Sequence, residues 1–432
     1  MTADSSKRVL LGFVWAGLGA ALAVLIMWGT ESRSAEEPAE AVEPAAAAAP
    51  ETKTEPPPPP KPKLIPRRQL VDSRSHALEL EQLQALGYVD GTYDPESELE
   101  NVLVHDEKAA QQGLNFYSSR KSAGARLMDM QGRTVHQWKA KQKGAWQHAE
   151  LLPSGHVVVI VKDRRLSRYD ERSNLLWSVK ARFHHDLWIA GDEIYVLARK
   201  AQVVDYVHPK LPVLVDVIQV RALEDGTLKR EISVLDSLHE SDYGFLLPSI
   251  RHIGQTKKNR QLDILHTNHV EVFDGSQAHR GPLYARGNIL ISMRNINAIA
   301  VLDGSSGDVL WIWGPSNVTF QHHPTLLDDG HILLFDNGLE RSRVIEIDPS
   351  SFEIVWTYAP ASGLFSKTRG SNQRLANGNT LITESDRGYV IEVTPDQKVV
   401  WKFANPIVNE KKEREAIWRM VRVDPASLQF LD

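Results

Sequence analysis

The sequence predicts an all-β protein: a six-bladed β-propeller of four-stranded antiparallel blades, preceded by one transmembrane helix and a disordered linker. Three observations carry that reading. A turn followed by a short apolar strand ending in Trp recurs five times, and the last two intervals are 45 residues each. Pairs of apolar strands joined by a Gly turn precede most of these segments. A spare strand stands at the C-terminus, while the first unit lacks one.

The recurring segments are MDMQGRTVHQW (Trp138), YDERSNLLW (Trp177), LDGSSGDVLW (Trp311), IDPSSFEIVW (Trp356) and VTPDQKVVW (Trp401). Asp129, Asp170, Asp303 and Asp348 open the turns, and Thr394 stands in the last. Such short polar side chains take backbone N–H groups at a turn. The gap from Trp177 to Trp311 is about three periods long, and LEDGTLKREISV supplies a degenerate copy there, with Ile232 near the Trp place. The surplus around residues 201–259 reads as an elaboration of blade three, giving six units. A seventh, eroded unit is the alternative. The hairpins AELLPSGHVVVIV, PTLLDDGHILLFD and QRLANGNTLITES complete each unit as four strands. Ile417–Val423 is expected to serve as the inner strand of blade one and so close the ring. An open sandwich would not explain a period repeated this often.

Ahead of the propeller (113–432), residues 9–29 form an uncharged apolar run. At about 1.5 Å per residue it spans roughly 30 Å, the thickness of a bilayer core. Lys7 and Arg8 precede it, and Glu36, Glu37 and Glu40 follow. The bias places residues 1–8 in the cytoplasm and the rest outside, anchored singly in an inner membrane with the C-terminal domain in the periplasm. A cleaved signal peptide is the competing reading, but its apolar core is usually shorter. Residues 30–69 are Ala-, Pro- and Glu-rich and cannot bury enough apolar surface to fold. Residues 70–112 read as a lead-in segment, with a short amphipathic helix around Leu80, Leu83 and Leu86 ended by Gly87.

Composition narrows function. A formal net charge of -5 without a basic stripe argues against nucleic acid. The absence of Cys excludes disulfides, thiolate metal sites and a Cys nucleophile. Against that background the histidines stand out. The innermost strands begin with WQHAE (His148), FHHDLW (His184, His185, Asp186), LHTNHV (His266, Asn268, His269) and FQHHP (His322, His323), and blade six offers Ser371, Asn372 and Gln373. Seven of sixteen His therefore fall at equivalent places in four blades, which the ring brings onto one axis. Alternation along a strand lets only one His of each adjacent pair face the channel. His156, His279 and His331 carry no expected role.

FQHHPTLLDDGHILLFDNG, LHTNHVEVFD, FHHDLW and LISMRN together resemble the PAPS-independent bacterial arylsulfotransferases, from about residue 124 to residue 423. The resemblance implies a periplasmic six-bladed propeller that moves a sulfuryl group from an aryl sulfate to a phenol through a sulfohistidine, with no metal, PAPS or other cofactor. It implies His322 as nucleophile, with His266, Arg294 and His185 around the transferring group. Asn268, His148, His184, His323, Asn337 and Arg419 follow as substrate-binding candidates, Asn337 being equally readable as a turn residue. That family carries an N-terminal β-domain and a cysteine pair that this chain lacks, so self-association is left open. An anchored scaffold for a protein partner, a quinoprotein-like oxidoreductase and a His185/Asp186 metal site are the rival readings. A scaffold has no need for a histidine ring, and the chain has six units without a cysteine pair, which disfavours a quinoprotein.

Overall fold

The computed structural model of the chain describes residues 101–247, 262–361, 363–408 and 414–431. The expected membrane helix at 9–29, the linker at 30–69 and the amphipathic helix near residue 80 lie outside the described residues. Among the described residues no helix is long and apolar enough to cross a membrane.

Six antiparallel sheets form the blades of a ring. The inner strands are Ile417–Val423 in blade one, His148–Leu151 in two, Phe183–Ala190 in three, Thr267–Val272 in four, His322–Leu326 in five and Ser371–Arg374 in six. Second strands such as Val157–Val161 and Ile289–Met293 are fully buried and mostly apolar, because both faces pack against neighbouring blades. Ile417–Val423 does supply the inner strand of blade one, pairing Leu114 with Val423 and Phe116 with Val421. Blade six carries a fifth strand that the repeat did not disclose. Val102–His105 adds to the outside of Val399–Ala404, with His105 opposite Trp401. The blade-six sheet thus holds an N-terminal strand and the blade-one sheet a C-terminal one.

The recurrent Trp residues prove to be staples between blades. The indole of Trp138 donates to the Gly155 carbonyl in blade two at 3.0 Å, and Trp177 to Leu223 in blade three at 3.2 Å. Trp356 reaches Pro395 in blade six at 3.2 Å, and Trp401 reaches Met130 in blade one at 3.0 Å. In blade four the staple is Trp313, which donates to Phe352 at 3.0 Å, whereas the Trp311 indole N–H has no partner among the described residues. Blade three has no Trp in that place, and Arg230 substitutes by donating to Gly304 of blade four at 2.6 Å. All six junctions are therefore bridged by a side-chain donor. The Asp turns behave as read: Asp129 accepts from the backbone of Gln131 and Arg133, and Asp303 from Ser305 and Ser306.

The elaboration of blade three is a long hairpin. Glu193–Val204 and His208–Ala222 stay paired from Glu193↔Ala222 out to Val203↔Pro212. A short helix, Val234–Glu240, follows the outer strand and is capped by the Ser233 hydroxyl accepting from Asp236.

Candidate active site

The inner strands are irregular at their entrances. Ladder registers slip between Phe183 and Leu187, between Thr267 and His269, and between His322 and Thr325. His185, His266 and His323 accordingly sit in the left-handed region, with φ of 55°, 52° and 49°. Such conformations cost about 1–3 kcal/mol each and persist where surrounding structure enforces them. The slips break the alternation expected from sequence, so His322 and His323 both face the channel.

These entrances enclose a cavity of about 290 Å³. His148, His185, His266, Asn268, Arg294, His322, His323 and Arg419 line it, as expected from the sequence. His184 and Asn337 do not; both are fully buried behind the lining. Lys162, Arg369 and Trp418 line it as well and were missed. Four cations and no carboxylate face this space, so it favours an anionic occupant.

His322 has a fixed tautomer. Its Nδ1 lies 2.7 Å from Asn337 Oδ1 and 2.9 Å from the Phe320 carbonyl, both acceptors, so Nδ1 holds the proton and donates. Asn337 is itself oriented, because its amide donates to the carbonyls of Ser366 and Arg369 at 2.6 Å each. The Nε2 of His322 is left with a free lone pair. Burial, with Arg294 and His266 nearby, lowers its pKa to about 4 against the Asn337 bond, so the ring is neutral near pH 7. His323 has the opposite arrangement. The Asn372 backbone N–H donates to its Nδ1 at 3.4 Å, which puts the proton on Nε2 and makes that atom a donor. Asn337→Leu should keep the fold yet lower turnover by about 10- to 100-fold, since the wrong tautomer becomes accessible. An NMR measurement of the His322 ring nitrogens would check that cause directly.

Two carboxylates orient the remaining ring members. Asp263 Oδ2 stands 2.6 Å from His266 Nδ1. Asp216 Oδ1 stands 3.3 Å from His184 Nε2, and His184 Nδ1 meets His185 Nδ1 at 2.7 Å. With the His184 proton held toward Asp216, His185 donates through Nδ1 and keeps Nε2 as an acceptor. Burial, reinforced by His184 and His266, holds the His185 pKa well below the usual value. His185 packs edge-on to His266, ring centres 4.8 Å apart. Arg294 stacks on Phe320 at 4.2 Å and donates to Asn295, with no carboxylate partner among the described residues.

A deeper layer centres on Asp186. It meets His269 Nδ1 at 2.6 Å, Arg419 Nη2 at 3.0 Å and His148 Nε2 at 3.5 Å. Burial opposes its ionisation, but Arg419, His148 and His269 outweigh it and hold the carboxyl well below its usual range. Asp186 is therefore a structural counter-ion here, and the described residues do not gather it with His185 as a metal site. Asp329, His331 and Glu346 do converge elsewhere, but Arg374 already pairs with Glu346 at 2.7 Å.

One signal in the sequence pointed to the missed carboxylates: Asp216 is the single charge inside the apolar run VLVDVIQV. Arg369 and Lys162 lie just outside strands and had no such mark.

A propeller whose inner-strand cavity sets a neutral imidazole nitrogen among cations presents a site suited to an anionic occupant. Residues 148–406, more than half of the chain, match the family model described as arylsulfotransferase (ASST), and the chain belongs to that family. No curated protein matches it. Among solved structures, a protein of unknown function from Bacteroides caccae is 14% identical, with 72% of this chain and 98% of that one covered and a TM-score of 0.48. The WD40 β-propeller domain of Doa1 is 12% identical over 72% of this chain and 79% of that one, with a TM-score of 0.38. BamB from Moraxella catarrhalis is also 12% identical, over 70% and 74%, with a TM-score of 0.32. Likeness at this level carries no argument about the chain.

Proposed function

We propose that the protein transfers a sulfuryl group from an aryl sulfate to a phenol by a ping-pong route through a sulfohistidine at His322. The observation that carries this reading is the tautomer of His322, whose Nδ1 is engaged by Asn337 and Phe320 while its ring lines a cationic cavity. In the first half-reaction the Nε2 lone pair attacks sulfur, the S–O(aryl) bond breaks, and its electron pair leaves on the phenolate oxygen. His266, whose Nδ1 meets Asp263 at 2.6 Å, supplies the proton that turns the phenolate into phenol. Arg294 neutralises charge on the sulfuryl oxygens, and the His323 Nε2–H supplies a further donor, while the Asn268 amide nitrogen already donates to the Gln321 carbonyl at 2.9 Å. In the second half-reaction the acceptor phenol returns a proton to His266, its oxygen attacks sulfur, and the N–S bond pair goes back to Nε2. No net proton is consumed.

The apolar run at 9–29 and the Lys7–Arg8 pair support a single inner-membrane anchor, with the spacer at 30–69 holding the propeller in the periplasm. Partners would then be small aryl sulfates and phenols together with the lipid bilayer.

The test is release of nitrophenolate from 4-nitrophenyl sulfate by the full chain in detergent, dependent on added phenol. Protonated His322 has no lone pair, so kcat/KM should fall about tenfold per pH unit below a midpoint of about 4. An acid limb near the ordinary histidine value of about 6.5 would assign the nucleophile to another group.

A further inference from the structure

The cavity holds more positive charge than one sulfate ester answers. Three of the arginines at or beside it have a carboxylate of their own: Arg419 pairs with Asp186, Arg369 with Asp386, and Arg199 with Asp163. Two cations do not. Among the described residues Arg294 donates to Asn295 and stacks on Phe320, and Lys162 makes no direct ion pair, although Asp263 acts on both from a distance. Arg294 lies beside the His322 ring and answers the sulfuryl group. Lys162 is elsewhere. It follows the second strand of blade two, and in a ring of six blades that position faces blade five, which carries His322, across the axis.

The same cavity has an aromatic side next to blade two. Trp418, on the closing strand of blade one, lines the cavity, and Arg369 lies over its ring at 4.4 Å. The Trp418 indole N–H is buried with no acceptor among the described residues. Lys162 keeps an exposed side, and partial burial first, then Arg199, lowers its ammonium below the usual value against the opposing pull of Asp163 and Asp263; an anion bound beside it would raise it again.

We propose that the natural aryl group carries a second anion, a carboxylate on the ring remote from the sulfated oxygen, which Lys162 binds while Trp418 packs the ring. The inference rests on the sulfuryl-transfer assignment and names its substrate class: sulfated phenolic acids as donors and phenolic acids as acceptors. Both halves of a ping-pong reaction use one cavity, so the same contact serves both. No further chemistry is required, because the carboxylate neither gains nor loses a bond.

The experiment compares 4-(sulfooxy)benzoate with its methyl ester as donors on one preparation of the full chain. The ester withdraws electrons more strongly than the carboxylate, so leaving-group chemistry alone favours the ester. A charge-assisted contact should reverse this and favour the acid by about 10- to 100-fold in kcat/KM. In Lys162→Met the ratio should fall to about one or below, and in Lys162→Arg it should return. The ratio is independent of how much of a preparation is folded, so it remains decisive for a variant that folds poorly. An ester used as well as the acid by the unaltered protein, or an acid preference that survives in Lys162→Met, overturns the inference while leaving sulfuryl transfer in place. No transfer from these donors or from 4-nitrophenyl sulfate overturns both.

Discussion

Replacing His322 with alanine should lower the rate of nitrophenolate release by at least about 10³-fold, with KM little changed and the fold intact. The loss is large because no neighbour can substitute. His323 is beside it in sequence and faces the same cavity, but its Nδ1 is occupied by the Asn372 N–H and its Nε2 carries the proton. His185 keeps an acceptor nitrogen, yet its position is fixed by His184 and not by the Asn337 clamp. His323→Ala should therefore be milder, removing a donor and not the bond-forming atom. Stopped-flow kinetics of both variants, with a thermal melt to confirm folding, separates the two roles.

The second large effect is on stability and falls on ring closure. Glu392, on the third strand of blade six, is fully buried and gathers three groups, of which Arg422 ties blade six to the closing strand of blade one. It pairs with Arg422 of the closing strand at 3.0 Å, and accepts from the Gln111 backbone and the Asn379 amide at 2.7 Å each. Arg422 is itself nearly inaccessible and also donates to Asn115 of blade one at 2.7 Å. Glu392→Ala leaves that guanidinium buried without a counter-charge, a change that typically costs about 3–5 kcal/mol. Urea unfolding should show a loss of this order. Glu392→Gln should lose less, since the amide oxygen still accepts. A loss below about 1 kcal/mol in Glu392→Ala would mean that hydrogen-bonded strand pairing alone closes the ring.

The fold was legible where the chain repeats itself. Trp138, Trp177, Trp356 and Trp401 mark their blades because each one makes the same bond to the next blade. The repeat misled where a neighbour took over that bond, as Trp313 does from Trp311, and it fell silent where Arg230 replaces a Trp. Val102–His105 could not be read at all, since a fifth strand has no counterpart in the other blades. The site shows the same division. Histidines at equivalent strand starts betrayed the axial cavity, and the choice of His185 over His184 as the one facing it agrees with the geometry. The adjacent pair His322 and His323 defeated the alternation rule because a bulge turns both inward. Asn337, one of the substrate-binding candidates, does not line the cavity and stands behind His322, holding its Nδ1. Asp216 acts on a histidine of another strand, and a contact of that kind leaves no spacing in the sequence, whereas Asp263 lies only three residues before the His266 it meets.

Covalent transfer through His322 is tested most directly by mixing the full chain with excess 4-nitrophenyl sulfate in the absence of any phenol. The protein is then mapped by mass spectrometry under conditions mild enough to preserve an N–S bond. A burst of one nitrophenolate per active site is expected, with one added SO₃ on His322 that is discharged when phenol is supplied. A burst with the label on another residue, or turnover by phenol with no covalent label and no burst, would contradict the sulfohistidine route.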